Sequence, residues 1–214
     1  MALLSGSRVI LPSPVSLWET SGEHKLFSVY DETGTLLRSF GAVKKYENPE
    51  LTLNANIAYF ATDSKDNIFV AYAFQNKIDK YSQDGKMIFS ADRSLPYKLK
   101  NEMKAVLFKS GNVEREFLWP SVTSVARGIY LDPKSRIWVL TFLKQPNKFG
   151  EFDDQENLTV CYEFDVFDSN GILLFKVPFP NVRFNNISIH DDRIYLIDSE
   201  NESCVREFRI IEGI

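Results

Sequence analysis

The sequence YDETGTLL at residues 30–37 returns twice, as YSQDGKMI at residues 81–88 and as FDSNGILL at residues 167–174. Each copy has an aromatic residue, then a run of polar residues that ends in glycine, and then a pair of aliphatic residues. Glycine and the short polar residues before it favour a tight turn, and the flanking apolar residues favour strands. A strand, turn and strand unit that recurs along one chain predicts a repeat architecture.

A second motif precedes the first in the later copies. It reads IAYFATDSKDNIFVA at residues 57–71 and ARGIYLDPKSRIWVL at residues 126–140, with a third copy at residues 185–197. The two motifs together give four strands, which in the cleanest copy we place at residues 57–62, 67–73, 77–82 and 86–91. Four strands joined by hairpins form an antiparallel meander that cannot bury both faces alone, whereas several meanders arranged around an axis form a β-propeller.

We therefore predict an all-β fold, a β-propeller of four-stranded antiparallel blades with about four blades present. These are either part of a six-bladed ring or a smaller ring. The 214 residues are predicted to form one domain, residues 1–214. Its blades are placed at residues 7–40, 57–91, 126–177 and 185–214, with insertions at residues 92–125 and 143–157.

Three segments are less regular than the repeat. Residues 7–11 are either a closing strand or the inner strand of the first blade, which would continue with strands at residues 15–19, 25–31 and 35–40. Residues 105–109 and 113–118 favour a hairpin, with a helix over residues 99–108 as the alternative. The last blade reaches its final turn at Gly213 without an outer strand, so we expect an oligomer or further amino-terminal blades to close the ring.

Composition excludes several classes of function. The net charge of −4 argues against a nucleic-acid partner, because phosphate binding needs a basic face. No stretch approaches the ~18 consecutive apolar residues of a membrane span, and no signal peptide is apparent, so the sequence itself assigns no compartment. The two cysteines, Cys161 and Cys204, lack the spacing of a metal site and are expected to be small buried hydrophobes.

The unit from Ala61 to Lys86 resembles an NHL-type repeat, and the chain from Phe27 onward is similar to bacterial six-bladed β-propeller proteins. The resemblance implies the propeller fold and suggests an exported or periplasmic location. A six-bladed ring of ~45 residues per blade would need more chain than these residues provide. Such propellers include lactonases and lyases as well as binding modules, so the resemblance identifies a fold rather than a function.

Candidate catalytic groups are sparse. Lactonase-like relatives hold a divalent cation with Glu, Asn and Asp side chains, but the inner-strand entrances here carry no carboxylate, so we predict no metal and no cofactor. His190 beside Asp191 could act as a general base, but a solvated turn is the favoured interpretation. The repeated aspartates are predicted to form turns rather than a carboxylate site; they are Asp31, Asp63, Asp84, Asp132 and Asp168.

A binding face is the remaining prediction. In a propeller, the loops between the second and third strands and between successive blades gather at one end of the channel, where ligands bind. The candidate ligand-binding residues on these loops are Asn56, Asn76, Arg127, Arg183, Asn185 and Asp198. The two arginines favour an anionic ligand, and pairing with neighbouring carboxylates is their alternative role. We predict a non-enzymatic module that binds a protein or a saccharide, with a metal-dependent, lactonase-like hydrolase or lyase as the alternative.

Overall fold

A computed structural model describes residues 2–4, 8–12, 24–110, 113–146, 157–198 and 204–211. Almost all of its regular structure is β, in the order β1 (Ala2–Leu4), β2 (Arg8–Pro12), β3 (Lys25–Tyr30), β4 (Leu36–Ala42), helix α1 (Pro49–Ala55), β5 (Ala58–Thr62), β6 (Ile68–Tyr72), β7 (Lys77–Tyr81), β8 (Met87–Asp92), β9 (Asn101–Ser110), β10 (Val113–Val122), β11 (Ala126–Leu131), β12 (Ile137–Phe142), a 3-10 turn (Leu158–Val160), β13 (Tyr162–Phe167), β14 (Leu173–Pro178), β15 (Phe184–His190), β16 (Arg193–Asp198) and β17 (Val205–Arg209).

The strands form four antiparallel sheets and one separate hairpin. Sheet I contains β1 to β4, sheet II contains β5 to β8, sheet III contains β11 to β14, and sheet IV contains β15 to β17. Within each sheet the strands pair in chain order, and β9 pairs only with β10. These sheets are the meanders that the two motifs predict, and the fold class of blades arranged as in a β-propeller is confirmed.

The sheets pack face to face around their inner strands. Strand β1 contacts β5, β5 contacts β11, and β11 contacts β15. One apolar cluster fills each gap between successive sheets, so the middle two sheets bury both faces. Accordingly, every residue of β6 and β12 is buried, which explains why these strands are apolar apart from Thr141 rather than alternating.

Four of the repeated aspartates form the tight turns at one end of the sheets. The Oδ1 atoms of Asp31, Asp63, Asp132 and Asp168 each accept backbone N–H groups from the residues two and four positions later, at 2.9 to 3.0 Å. In the remaining copy Ser82 takes this place, because its Oγ accepts the Lys86 N–H at 3.3 Å. Asp84 lies within its turn as predicted, but the side chain that bonds the turn backbone is that of Ser82, two positions earlier.

A buried aspartate lies in the third strand of two sheets. Asp79 of sheet II is 1% exposed, and its Oδ2 accepts the Tyr72 hydroxyl at 2.5 Å and the Tyr81 hydroxyl at 3.3 Å. Its Oδ1 accepts the Ser90 hydroxyl at 2.6 Å. Asp165 has the matching position in sheet III, where Lys176 replaces Ser90 as the cross-strand neighbour. A buried carboxylate is tolerated only when such donors surround it.

We expect Tyr72→Phe to lower the free energy of unfolding by about 1.5 to 3 kcal/mol, since it removes a hydrogen bond to a buried charge. Chemical denaturation would measure the loss. Tyr81→Phe is the matched control and should cost less, because its hydroxyl lies farther from the same oxygen. Equal losses for the two variants would contradict this account.

Several local predictions need correction. Strand β2 is the second strand of sheet I rather than the innermost, because β1 precedes it. The alternative helix over residues 99–108 is wrong, since β9 begins at Asn101 and the predicted hairpin extends to Val122. Helix α1 was not predicted, although Asn48 caps it and Pro49 begins it as a standard start signal. The predicted strand at residues 15–19, residues 147–156 of the second insertion and Gly213 lie outside the described residues.

No helix in the described part of the chain combines the length and the apolar character that crossing a bilayer requires.

Candidate functional site: the loop end of the sheets

The two ends of the sheets differ in what connects the strands. At one end lie the tight aspartate turns. At the other end lie α1, the β9–β10 hairpin, residues 143–146 and the 3-10 turn, because each of these follows a second or a fourth strand. We call this second end the loop end. Long connections on a rigid scaffold are where proteins usually place binding residues.

Side-chain amides and hydroxyls fasten these connections to the strands. The Tyr97 hydroxyl donates to the carbonyl oxygen of Ser124 or Phe142, which lie 2.9 and 2.8 Å away, and Gln145 bonds the backbone of Ser124 through both of its amide atoms. Asn101 at the base of the hairpin donates towards the Tyr46 hydroxyl and the Phe74 carbonyl. The loop end is thus a built surface with its own hydrogen-bond network.

Several of the predicted site residues serve this scaffold. Asn56 is buried, and its amide bonds the backbone of Lys44 through both of its atoms and the Thr52 carbonyl. Asn76 donates to the Arg93 carbonyl at 3.3 Å. Asp198 is 2% exposed and forms a 2.7 Å ion pair with Arg206. Arg183 is half-buried and is also engaged in an interaction.

Arg127 and Asn185 have a distinctive backbone position. Strand β11 pairs with β12 through Ala126 and then Gly128, so Arg127 is an extra residue in the register. Strand β15 shows the same shift between Phe184 and Asn186, which makes Asn185 the extra residue there. Bulges redirect side chains and recur beside functional sites. The neighbouring inner strands of sheets III and IV therefore each carry a bulge at the loop end, although the Asn185 side chain is outside the described atoms.

Aromatic rings surround the Arg127 side chain. Its Nη1 donates to the Tyr162 hydroxyl at 2.7 Å, and its Cζ lies 4.5 Å from the centroid of the Phe184 ring. Tyr59 and Tyr130 are near enough for the Arg127 charge to act on their pKa values. Burial nevertheless raises the pKa of both hydroxyls and that of Tyr162, so all three remain protonated at neutral pH.

Arg127 differs from three arginines that form ion pairs with buried or half-buried aspartates. Arg8, Arg93 and Arg136 pair with Asp66, Asp165 and Asp132 respectively. Within the described ranges no carboxylate lies in ion-pair distance of Arg127, which is half-buried between aromatic rings. Among these residues, therefore, the alternative role of pairing with a carboxylate of the neighbouring blade is not observed for Arg127.

Sequence reasoning missed the aromatic partners. Tyr59, Tyr130, Tyr162 and Phe184 are strand residues, and in a strand they resemble core residues. The signal that could have shown the site is the extra residue, Arg127. The matching strand of sheet II has no such residue, since its Ala58 and Tyr59 pair with Tyr72 and Ala71 without a bulge. Aligning residues 57–71 with residues 126–140 without a gap hides this insertion.

Other candidate chemistry is limited to separate residues. Among the residues with described positions, no three His, Cys, Asp or Glu side chains lie together as a metal site would require. His190 is exposed at the end of β15, and its ring centroid is 6.3 Å from that of Tyr195. Cys161 is buried as predicted, whereas Cys204 is half-exposed, and neither forms a disulfide.

Known proteins resemble this chain in structure but not in sequence. No protein-family model and no curated protein matches the sequence. A member of the DUF4221 family from Bacteroides vulgatus has a similar structure, with a TM-score of 0.52 and 8% identity over 97% of this chain. A virginiamycin B lyase from Staphylococcus aureus gives 0.37 and 14% over 99%, and the Cps50 (Swd1) β-propeller domain of Myceliophteria thermophila gives 0.36 and 11% over 86%.

This chain spans 62% of the DUF4221 protein, 69% of the lyase and 58% of the Swd1 domain. At 8% identity, the resemblance to the DUF4221 protein is one of fold. The four antiparallel sheets, which pack around their inner strands, are what identify the described part of the chain as part of a β-propeller.

Proposed function

We propose that the chain is a non-enzymatic binding module of NHL-like propeller type, and that it recognises a carboxylate-bearing ligand at its loop end. The single observation that carries the proposal is Arg127, a half-buried cation on a bulge, held by rings and hydrogen-bonded to a tyrosine. A guanidinium that is held in place in this way loses little entropy when it binds a carboxylate through two parallel hydrogen bonds.

The neighbouring hydroxyls support the same ligand chemistry. The Tyr162 oxygen accepts a hydrogen bond from Arg127, and this bond helps to fix where the guanidinium lies. Because burial raises the pKa of Tyr59, Tyr130 and Tyr162, these groups stay neutral and do not repel an anion. A site with one cation and neutral donors around it favours negative charge without holding a catalytic acid or base.

Titrations with oligogalacturonate and with a short peptide rich in aspartate would test the proposal and distinguish a saccharide source of the carboxylate from a protein source. Neutral oligogalactose is the reference probe. We expect one acidic probe to bind, and Arg127→Gln to weaken that binding at least ~10-fold because a charge-assisted pair is lost. Tyr162→Phe should weaken it less.

Arg193→Gln is the matched control, since Arg193 begins β16 at the opposite end of the sheets and its side chain is 46% exposed. It removes the same charge and should leave binding unchanged. Equal binding by the Arg127 and Arg193 variants, or no binding of either acidic probe, would contradict the proposed site. Cleavage of a bound probe would instead support a hydrolase or lyase.

A further inference from the structure

The β9–β10 hairpin stands apart from the four sheets and has two distinct faces. Residues directly opposite each other in an antiparallel pair lie on the same face. One face carries Asn101, Met103, Ala105 and Leu107 opposite Val122, Pro120, Leu118 and Glu116. Its base is turned towards the body of the protein, because Asn101 bonds Phe74 and Tyr46, and Met103 and Pro120 are half-buried.

The other face we call the aromatic face. It is defined by three successive rows, Lys104 with Trp119, Val106 with Phe117, and Phe108 with Arg115. Its apolar members are 48% exposed at Val106, 50% at Phe117, 60% at Phe108 and 66% at Trp119. A two-stranded ribbon cannot cover its own face, and apolar side chains grouped in this way are typical of an interaction surface.

We propose that the aromatic face binds the same face of a second copy of this chain. Two-fold symmetry is the commonest way in which identical chains associate, and it requires a surface that is complementary to itself. The three rows meet that requirement. Each outer row holds one cation and one aromatic ring, and the central row holds only apolar side chains.

The complementarity holds for both possible two-fold axes. If the axis runs along the strands, Lys104 of one copy lies opposite Trp119 of the other, and Arg115 lies opposite Phe108. If the axis runs across the strands, Lys104 lies opposite Phe108 and Arg115 opposite Trp119. In each case Phe117 and Val106 form the centre, and every cation faces an aromatic ring, which attracts it. No like charges are brought face to face in either arrangement.

The area of the aromatic face indicates which kind of dimer to expect. With ~150–250 Å² for each aromatic side chain, the exposed fractions amount to roughly 400 Å² per copy, or about 800 Å² for two. The stems of Lys104 and Arg115 bring the total close to ~1,000 Å², the lower end for a specific interface. We therefore expect a reversible dimer that dissociates on dilution rather than an obligate one.

Sedimentation velocity over a range of protein concentrations tests the dimer. Phe117→Asp should weaken self-association at least ~30-fold, because two buried rings are lost and two carboxylates are buried at the centre of the interface. Leu107→Asp is the matched control: Leu107 is 55% exposed on the same hairpin but on the opposite face, so this variant should associate like the parent chain. Arg115→Glu keeps the face charged but places a carboxylate opposite a ring, and should also weaken association.

Tryptophan emission supplies a second measurement on the parent chain. Trp119 is 66% exposed and Trp138 is 1% exposed, whereas Trp18 lies outside the described residues. A shift of the emission to shorter wavelength with concentration reports burial of Trp119 when it depends on that side chain. A Trp119→Phe variant should lack that shift. A parent chain that stays monomeric at all concentrations, or equal effects of the Phe117 and Leu107 variants, would overturn the proposal. Binding of the monomer to anionic lipid vesicles through Trp119 would overturn it as well.

Discussion

Replacing Asp165 with alanine is expected to lower the free energy of unfolding by about 3 to 5 kcal/mol, since it leaves the buried charge of Arg93 without its counter-charge. Arg93 follows β8 at the outer edge of sheet II, and its side chain reaches into sheet III. There Nη1 donates to the Thr141 hydroxyl at 2.7 Å and lies 3.3 Å from Asp165 Oδ2. The two side chains are 1% and 3% exposed.

The guanidinium of Arg93 is already incompletely satisfied. Its Nε and Nη2 atoms have no hydrogen-bond partner among the described atoms. Burial lowers the pKa of Arg93, and the neighbouring charge of Asp165 offsets that effect in part. Loss of Asp165 would therefore remove the main group that keeps a charged guanidinium acceptable in this position, while Thr141 alone offers only a neutral oxygen.

Denaturation of three further variants separates this pair from general disturbance of the sheets. Lys176→Met removes another cation near Asp165, but its side chain is 44% exposed, so the change should be small. Arg93→Met should cost several kcal/mol because it leaves the carboxylate buried. The double variant Arg93→Met with Asp165→Ala should lose less stability than the sum of the two single losses, because no unpaired buried charge remains. Additive losses would show that the two charges act independently.

The ion pair of Arg93 with Asp165 also shows which kind of contact could not be predicted from the sequence. The repeat was predictable because its signals are local, since aspartate, glycine and the flanking apolar residues define each turn within about five positions. Arg93 lies in what was predicted to be an insertion, and its partners are 48 and 72 residues farther along the chain. No spacing rule connects them, because their proximity depends on how one sheet packs against the next.

In the candidate site, too, the position of a residue on a loop could be predicted from the sequence, whereas its contacts could not. Arg127 and Asn185 were predicted because they precede inner strands, and the structure adds that both are bulge residues. Asn56 precedes β5 and Asp198 ends β16, so both were predicted from their place at the same end of the strands. Both are nevertheless buried, and their polar groups bond nearby backbone or arginine. A polar residue at a strand entrance has the same appearance in a sequence whether it bonds its own loop or faces a ligand.

The turn glycines explain how successive sheets fit together. Gly34, Gly85 and Gly171 have φ values of +82°, +78° and +83°, a conformation that favours glycine over other residues. A Cβ added to Gly85 would lie 2.7 Å from Cγ and 2.8 Å from Cβ of Phe40 in sheet I. One added to Gly171 would lie 2.7 Å from Cε2 of Phe89 in sheet II. The turns of sheets II and III thus each close over a ring of the sheet before.

We expect Gly85→Ala to lower the free energy of unfolding by about 3 kcal/mol, about 1 to 2 from the left-handed backbone and the rest from overpacking. Gly34→Ala is the control, because it has the same backbone conformation but no atom within 4 Å of the added Cβ, and it should show the backbone cost alone. In a Phe40→Ala background the extra cost of Gly85→Ala should disappear, since the ring that the methyl group meets is absent. If the extra cost persists there, packing of this turn against sheet I is not its source.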